Sequence, residues 1–457
     1  MYKWTKTAIA RQIFATITSY IAVLTAPALL FWLSPYSLKL TTGENPELTQ
    51  FEMAALITLI DFGTCAFSIP VGMLADSYGR RTTLLISGIL AASVWFVCLF
   101  TKHIVVLFIA RLLQGAYLAT VDVVSPVYIA EICGAKRRGT FGGFFNVFWN
   151  LGTLYAFINS DYLPFDEYTI TLMLLPVLFC STFVFMPESP YYYFMKNEPD
   201  KAKSSLQWVR CGEDIEVEYK EIEEAVREDM KNAGSWKDLI ATKEDRRALY
   251  IVLIVLTTRY LIGLTVVVAY AENIFAKAGQ QMFTPNQQSI GLALLFTVSS
   301  AAASFFSDIV GRRKLLIYSL IGTAISNAII AVYFGLLELT SLQVTPYVWI
   351  MYAGTLGYCI FTTVGPAMLV PTMRAEFFPS HTRSKGVAMT NLIALIFLLV
   401  QEITFPIIAA EIGIYFNFII FGTVATIGCI FVTIYVPESA GKTLAEVNQT
   451  VKDIVLH

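Results

Sequence analysis

Asp76-Ser-Tyr-Gly79-Arg80-Arg81 and Asp308-Ile-Val-Gly311-Arg312-Arg313 are one pattern written twice, 232 positions apart. Two further pairs follow in the same order. Glu131 stands seven residues before Arg138, as Glu376 stands before Arg383. Pro187-Glu188-Ser189 recurs as Pro437-Glu438-Ser439. The offsets of these later pairs are 245 and 250, close to the first, so the chain reads as one unit used twice. Each pattern follows an apolar run. A helix needs about 20 mainly apolar residues to cross a bilayer. Such runs cover roughly 12–33, 52–74, 83–101, 104–130, 140–159, 168–186, 249–275, 288–307, 315–338, 346–373, 386–410 and 413–436. Backbone polar groups must be satisfied inside lipid, so the runs are expected to be helices. The predicted fold is all-α: twelve transmembrane helices in two pseudo-symmetric six-helix halves, with a binding site between halves that rock against each other.

Composition agrees. Of 457 residues, 56% are hydrophobic and 14% charged, against about 25% charged in a soluble domain. That excludes an ordinary cytosolic enzyme, a disordered chain and a nucleic-acid binder. Residues 191–247 hold 11 Lys/Arg and 14 Asp/Glu, which marks one hydrophilic insert. The expected division is an N-terminal half at 1–190, a helical linker at 191–247, a C-terminal half at 248–436 and a tail at 437–457. With both termini cytoplasmic, 27 of the 32 Lys/Arg fall inside, while Lys39, Lys102 and Lys277 fall outside. The positive-inside rule therefore orients the chain. The first run is longer than a signal-peptide core and reads as a retained span. The seven cysteines are unclustered and read as small packing residues. The chain shows no metal-ligand spacing, phosphate loop or catalytic triad, so neither a cofactor nor a metal is implied, and enzymatic chemistry is not expected.

The repeated residues have a physical task. Arginines and carboxylates at helix ends can form charge-assisted bonds between neighbouring helices. If those bonds exist only in one state, they latch it. The expected gate is Asp76, Arg80, Arg81, Glu131, Arg138 and Glu188 with Asp308, Arg312, Arg313, Glu376, Arg383 and Glu438. Positive-inside topology signalling is the plainer reading of the arginines.

Taken together, Gly72-x-x-x-Asp76-x-x-Gly-Arg-Arg, Arg111-x-x-x-Gly115, Pro126-x-Tyr128-x-x-Glu131, Arg138-Gly139, Pro187-Glu-Ser-Pro190 and Pro437-Glu-Ser-x-Gly-Lys-Thr resemble the sugar-porter branch of the major facilitator superfamily. Within it the chain looks similar to arthropod facilitated trehalose and hexose transporters. The resemblance covers essentially the whole chain. It implies a multi-pass carrier at the plasma membrane, with a small solute, a sugar, and the lipid bilayer as its partners. The family's sugar contacts are carried over unevenly. Asn146 stands where the family has Gln in span 5. Arg259, Tyr260 and Thr265, aligned on Gly263 and Tyr270, replace its span 7 amides. Phe296 replaces an Asn in span 8, Pro371 a Trp in span 10, and Ala394-Leu395 an Asn-Trp pair in span 11. A pyranose is held through hydroxyls by amides that both donate and accept, so this site is expected to differ from the family's.

Two charges stand inside the spans. Asp122 is midway along span 4 and Arg259 about ten residues into span 7. A charge at the bilayer centre costs at least about 2.5–3.5 kcal/mol, so it lines water or finds a partner. By alignment both face the cavity. They could pair across the halves, bind a charged solute or serve proton coupling; separate local pairing is the alternative. Asp61, Glu272 and Glu402 are further acidic candidates. Arg111, two turns into span 4, reads as a packing residue. Residues 12–32 contain no Asp or Glu, where proton-linked relatives carry an acid, which favours facilitated diffusion. The candidate substrate residues are thus Asp122, Asn146, Arg259, Tyr260, Thr265, Tyr270 and Phe296. Carriage of another polar or charged solute, or sensing without turnover, are the rival readings.

Overall fold

A computed structural model describes residues 2–41, 48–101, 103–133, 135–210, 215–231, 236–279, 283–378 and 382–438. Long helices follow one another along the chain. They are α1 (Tyr2–Leu30), α2 (Gln50–Tyr78), α3 (Arg80–Phe100), α4 (Ile104–Ile132), α5 (Ala135–Tyr162) and α6 (Phe165–Phe183). After the hydrophilic insert come α7 (Lys243–Leu261), α8 (Pro285–Val310), α9 (Arg312–Leu339), α10 (Val348–Thr362), α11 (Arg383–Glu411) and α12 (Ile414–Tyr435). Among the described residues, nine helical stretches are long and apolar enough to cross a bilayer. The insert contributes shorter helices at Pro190–Met195, Pro199–Arg210 and Glu216–Lys231.

Two helices are broken, and local chemistry explains both. Past α7 the chain turns at Gly263, whose φ of +91° suits glycine, and resumes as Leu264–Ala269 and Ala271–Lys277. A Cβ at Gly263 would also lie 2.6 Å from the Phe421 ring. Carbonyls freed by such a break need new donors, because lipid offers none. Gln401 Nε2 donates to the Leu261 carbonyl at 2.8 Å and the Tyr358 hydroxyl to that of Ile262 at 3.2 Å. In α10, Pro366 sits in a π turn at Thr363–Ala367, after which the helix resumes at Met368–Phe377. Proline lacks the amide that would close the α-helical ladder there.

By contact the chain divides into two compact units. The first comprises Met1–Leu30, Leu59–Gly152 and Leu163–Ala233; the second comprises Phe31–Thr58, Thr153–Tyr162 and Gly234–His457. In the first unit α3 packs on α4 and α6, and α1 packs on α4 and α6. Arg111 ties that unit together. Its side chain is fully buried and donates to the carbonyls of Leu29 at 2.7 Å and Leu30 at 3.1 Å, and to Gln114 Oε1 at 3.0 Å. The last carbonyls of α1 have no intrahelical partner, and the guanidinium supplies one. Arg111 is therefore a helix-capping residue. Beside this core, Leu206, Ile215, Ile222 and Val226 of the insert form a small apolar cluster. Arg210 fastens it, with bonds of 2.8 and 2.6 Å to Glu218 and one of 3.1 Å to the Ile132 carbonyl.

In the second unit α9 packs on α10 and α12, and α7 on α11. Its core includes Val252, Leu256, Leu316, Leu320, Val370 and Phe378.

Replacing Arg111 by Met keeps the volume and removes the donors. The change should destabilise the first unit by about 3 kcal/mol, since hydrogen bonds to charged groups are strong and buried carbonyls would be orphaned. Thermal unfolding in detergent checks this: an unchanged Tm would contradict the capping role.

Candidate functional site

The repeated glutamates bond to backbone. Glu188 follows α6, and its Oε1 accepts the Arg81 amide at 2.9 Å while Oε2 accepts that of Thr82 at 3.3 Å. Glu438 follows α12 and accepts the amides of Arg312 at 3.0 Å and Arg313 at 3.2 Å. In each case a carboxylate sits at a helix N-terminus, where free amides and the helix dipole favour negative charge. The preceding residues, Gly79 at φ +101° and Gly311 at φ +90°, make the turn that presents those amides. A Cβ at Gly79 would lie 2.2 Å from the Glu188 carboxylate, so only glycine admits it there. The arginines reciprocate. Arg81 donates to the Val184 carbonyl near the end of α6, and Arg313 donates to the Thr433 carbonyl near the end of α12 at 2.6 Å. The same bracket is built twice.

Arg80 makes the ion pairs of the first copy. Its Nε lies 3.1 Å from Glu131 Oε2, and its Nη2 lies 3.4 Å from Asp76 Oδ1. The Glu131 contact falls outside hydrogen-bond geometry, so it is an ion contact. Arg80 also donates to the Ala75 carbonyl at 3.2 Å. The side chains of Arg138, Asp308, Glu376 and Arg383 lie outside the described residues.

Of the candidate substrate residues, Asp122 and Asn146 stand half-buried in the first unit. Asn146 lies beside the Phe145–Trp149 ring pair, and its carbonyl accepts the Asn150 amide at 2.9 Å. The others belong to the second unit. Tyr270, at the second break past α7, is buried and stacks on Phe405 at 5.1 Å, and its hydroxyl finds no hydrogen-bond partner among the described residues. Phe296 meets Tyr358 edge-on at 6.5 Å. Thr265 and Tyr260 are half-buried. Arg259 places its guanidinium 5.2 Å from the centre of the Tyr260 ring. It lines an apolar crevice with Thr258, Leu316, Leu320, Pro366 and Val370. That contact gives the cation a π face within its own unit.

On α11, Glu402, one of the acidic candidates of the sequence, is fully buried within electrostatic reach of the Tyr270 hydroxyl. Two further residues of α11 were not legible in the sequence: Phe405 stacks on Tyr270, and Gln401 holds the Leu261 carbonyl. Ala394 and Leu395, where the resemblance implied an amide and an indole, are buried apolar core. Tyr270 therefore meets an aromatic ring and a buried carboxyl, both on α11. Glu272, two residues beyond Tyr270, is buried and accepts the Leu38 amide at 3.1 Å. Among the described residues no group of His, Cys, Asp and Glu is placed to hold a metal ion.

Comparison with known proteins returns a consistent picture. The family model described as "Sugar (and other) transporter" matches residues 15–451. The Arabidopsis thaliana sugar transporter ERD6-like 6 is 29% identical over 408 residues, covering 87% of this chain and 82% of that protein. The facilitated trehalose transporter Tret1 of Polypedilum vanderplanki is 26% identical, covering 97% of this chain and 86% of its own length. Among solved structures, the inward open conformation of the xylose transporter XylE from E. coli superposes with a TM-score of 0.77. That match covers 97% of this chain and 99% of that one at 17% identity, a likeness of fold. The fold is thus the twelve-helix major facilitator fold.

The two carboxylates around Arg80 should differ in weight. The Asp76 side chain is 69% exposed and that of Glu131 13%. Screened surface pairs contribute about 0–1 kcal/mol, so Asp76→Asn should barely move thermal stability. Glu131→Gln leaves a buried guanidinium short of its counter-charge and should cost about 3 kcal/mol. Equal shifts in Tm for the two variants would contradict this ranking.

Proposed function

The chain belongs to the sugar transporter family, and we propose from that premise that it carries trehalose or a hexose-like sugar across the plasma membrane by facilitated diffusion. The observation that carries the reading is the family match over residues 15–451, nearly the whole chain. Both termini are placed on the cytoplasmic side, where the Asp-x-x-Gly-Arg-Arg turns and the Pro-Glu-Ser brackets also lie; the excess of Lys and Arg in those segments supports this. The end carrying Ser34–Thr41 is then outer. Asp122, Asn146, Arg259, Tyr260, Thr265, Tyr270 and Phe296 are the proposed substrate-side residues. The brackets at Glu188 and Glu438, with Arg80, Asp76 and Glu131, are proposed to hold the inner gate.

The sugar would lie against aromatic faces, with hydroxyls bonded to few polar groups. A buried hydroxyl such as that of Tyr270 is suited to this, because it can donate or accept and meets no partner among the described residues. Facilitated diffusion is favoured by the absence of an acidic residue from positions 12–32. A second reading, carriage of another polar or charged solute through Arg259 and Asp122, is favoured by the scarcity of amides along this path.

Uptake into proteoliposomes separates the readings. The panel should contain trehalose, glucose, fructose, an amino acid mixture and organic anions. The expected outcome is saturable sugar uptake that stops when inside and outside concentrations match, with or without a proton gradient. Tyr270→Phe should raise KM for the sugar by about tenfold, near the loss of one hydrogen bond to substrate. Uptake of an anion or amino acid without any sugar would replace the first reading by the second.

A further inference from the structure

The segment following α1 closes over the chain beyond α7. Residues 31–58 belong by contact to the same unit as α7. Ser34 Oγ donates to the Val268 carbonyl at 2.9 Å. Ser37 Oγ and the Leu38 amide both reach Glu272 Oε2, at 3.3 and 3.1 Å. Nearby, Asn286 Nδ2 donates to Asp161 Oδ1 at 3.1 Å. Glu272 is 5% exposed, so this contact takes a carboxyl out of water. Both of its bonds fall on one oxygen, which leaves Oε1 able to carry a proton without losing either.

We propose that Glu272 is a proton-binding site of the outer closure: it takes up a proton as Ser37 and Leu38 close over it and returns it to the same side when they part. The thermodynamic requirement is a carboxyl whose surroundings change on closing. Released from its cover, Glu272 faces water and titrates near an ordinary glutamate, about 4.3. The apolar run drawn to residue 275 put Glu272 inside the seventh span, but the structure ends that span at Ala269; in the closed arrangement Glu272 lies beyond it, in Ala271–Lys277. There burial pushes its carboxyl up to about 7, against the opposing pull of the Leu38 and Ser37 bonds and of Lys39.

The charged and titratable neighbours are few. Lys39 of the covering segment holds its ammonium 4.9 Å from the Tyr36 ring centre. Tyr36 stands within electrostatic reach of Glu272 and Asp161. On the Glu272 helix itself, Lys277 donates to the Ala409 carbonyl at 3.1 Å. Lys39 favours the charged form of Glu272 and so opposes the effect of burial.

The sign follows from the raised value. Closing binds a proton, so the closed end is favoured fully below the ordinary carboxylate range. That advantage is lost as pH rises through about 7, by up to about tenfold per pH unit between the two values. Because the proton comes from and returns to the outer side, it biases closure and does not drive uphill transport.

Labelling tests this without a known substrate, so its result is independent of which solute is carried. Ser34, on the covering segment, is 1% exposed and Phe283 is 55% exposed. In full-length protein with its seven cysteines replaced, Ser34→Cys reports opening and Phe283→Cys is the open reference. A membrane-impermeant charged maleimide is applied in proteoliposomes. The ratio of labelling rates should rise about tenfold between outer pH 5.5 and 7.5 and be flat in Glu272→Gln. A flat or falling ratio in the Glu272 protein overturns the proposal with no Glu272 variant needed. The same rise persisting in Glu272→Gln also overturns it.

Discussion

A helix end packed against its neighbours must find acceptors for its first amides and donors for its last carbonyls, because water is shut out there. Glu188 and Arg81 meet both demands at one corner, and Glu438 and Arg313 meet them at the repeated corner. One carboxylate holds the start of α3 or α9. One guanidinium holds the end of α6 or α12. Arg80 and Glu131 then add α4 to the same corner of the first unit. Arg111 performs the equivalent task for the last turn of α1.

The broken helices show the same constraint from the other side. Where Gly263 interrupts α7, two buried side chains take over the released carbonyls. Past the break Tyr270 stacks on Phe405, and Glu402 is buried within electrostatic reach of its hydroxyl. Glu272 extends the pattern to the chain beyond the break, where a carboxylate again accepts a backbone amide.

Much of the fold was legible because charge is scarce. In a chain with 14% charged residues, a recurring Asp-x-x-Gly-Arg-Arg or Pro-Glu-Ser stands out, and it located both halves of the repeat. Arg111 was legible as a packing residue for the same reason. The partners were harder to read. The bonds by which Glu188 and Glu438 hold the helix starts go to backbone amides, and an amide N–H is common to every residue but proline, so no side-chain pattern marks it. Phe405, Gln401 and Tyr358 gave no signal, because helices apolar on every face do not reveal which side meets lipid and which meets protein. The Glu272 contact was hidden further still: Ser37 and Leu38 lie 235 and 234 positions away from it.

Hydrogen–deuterium exchange at single-amide resolution tests the bracket most directly. Glu188→Ala should speed exchange at the Arg81 and Thr82 amides and leave Arg312 and Arg313 as they were. Glu438→Ala should do the reverse. Unchanged exchange at the amides facing the deleted carboxylate, or equal loss of protection at both corners from either substitution, would contradict the account.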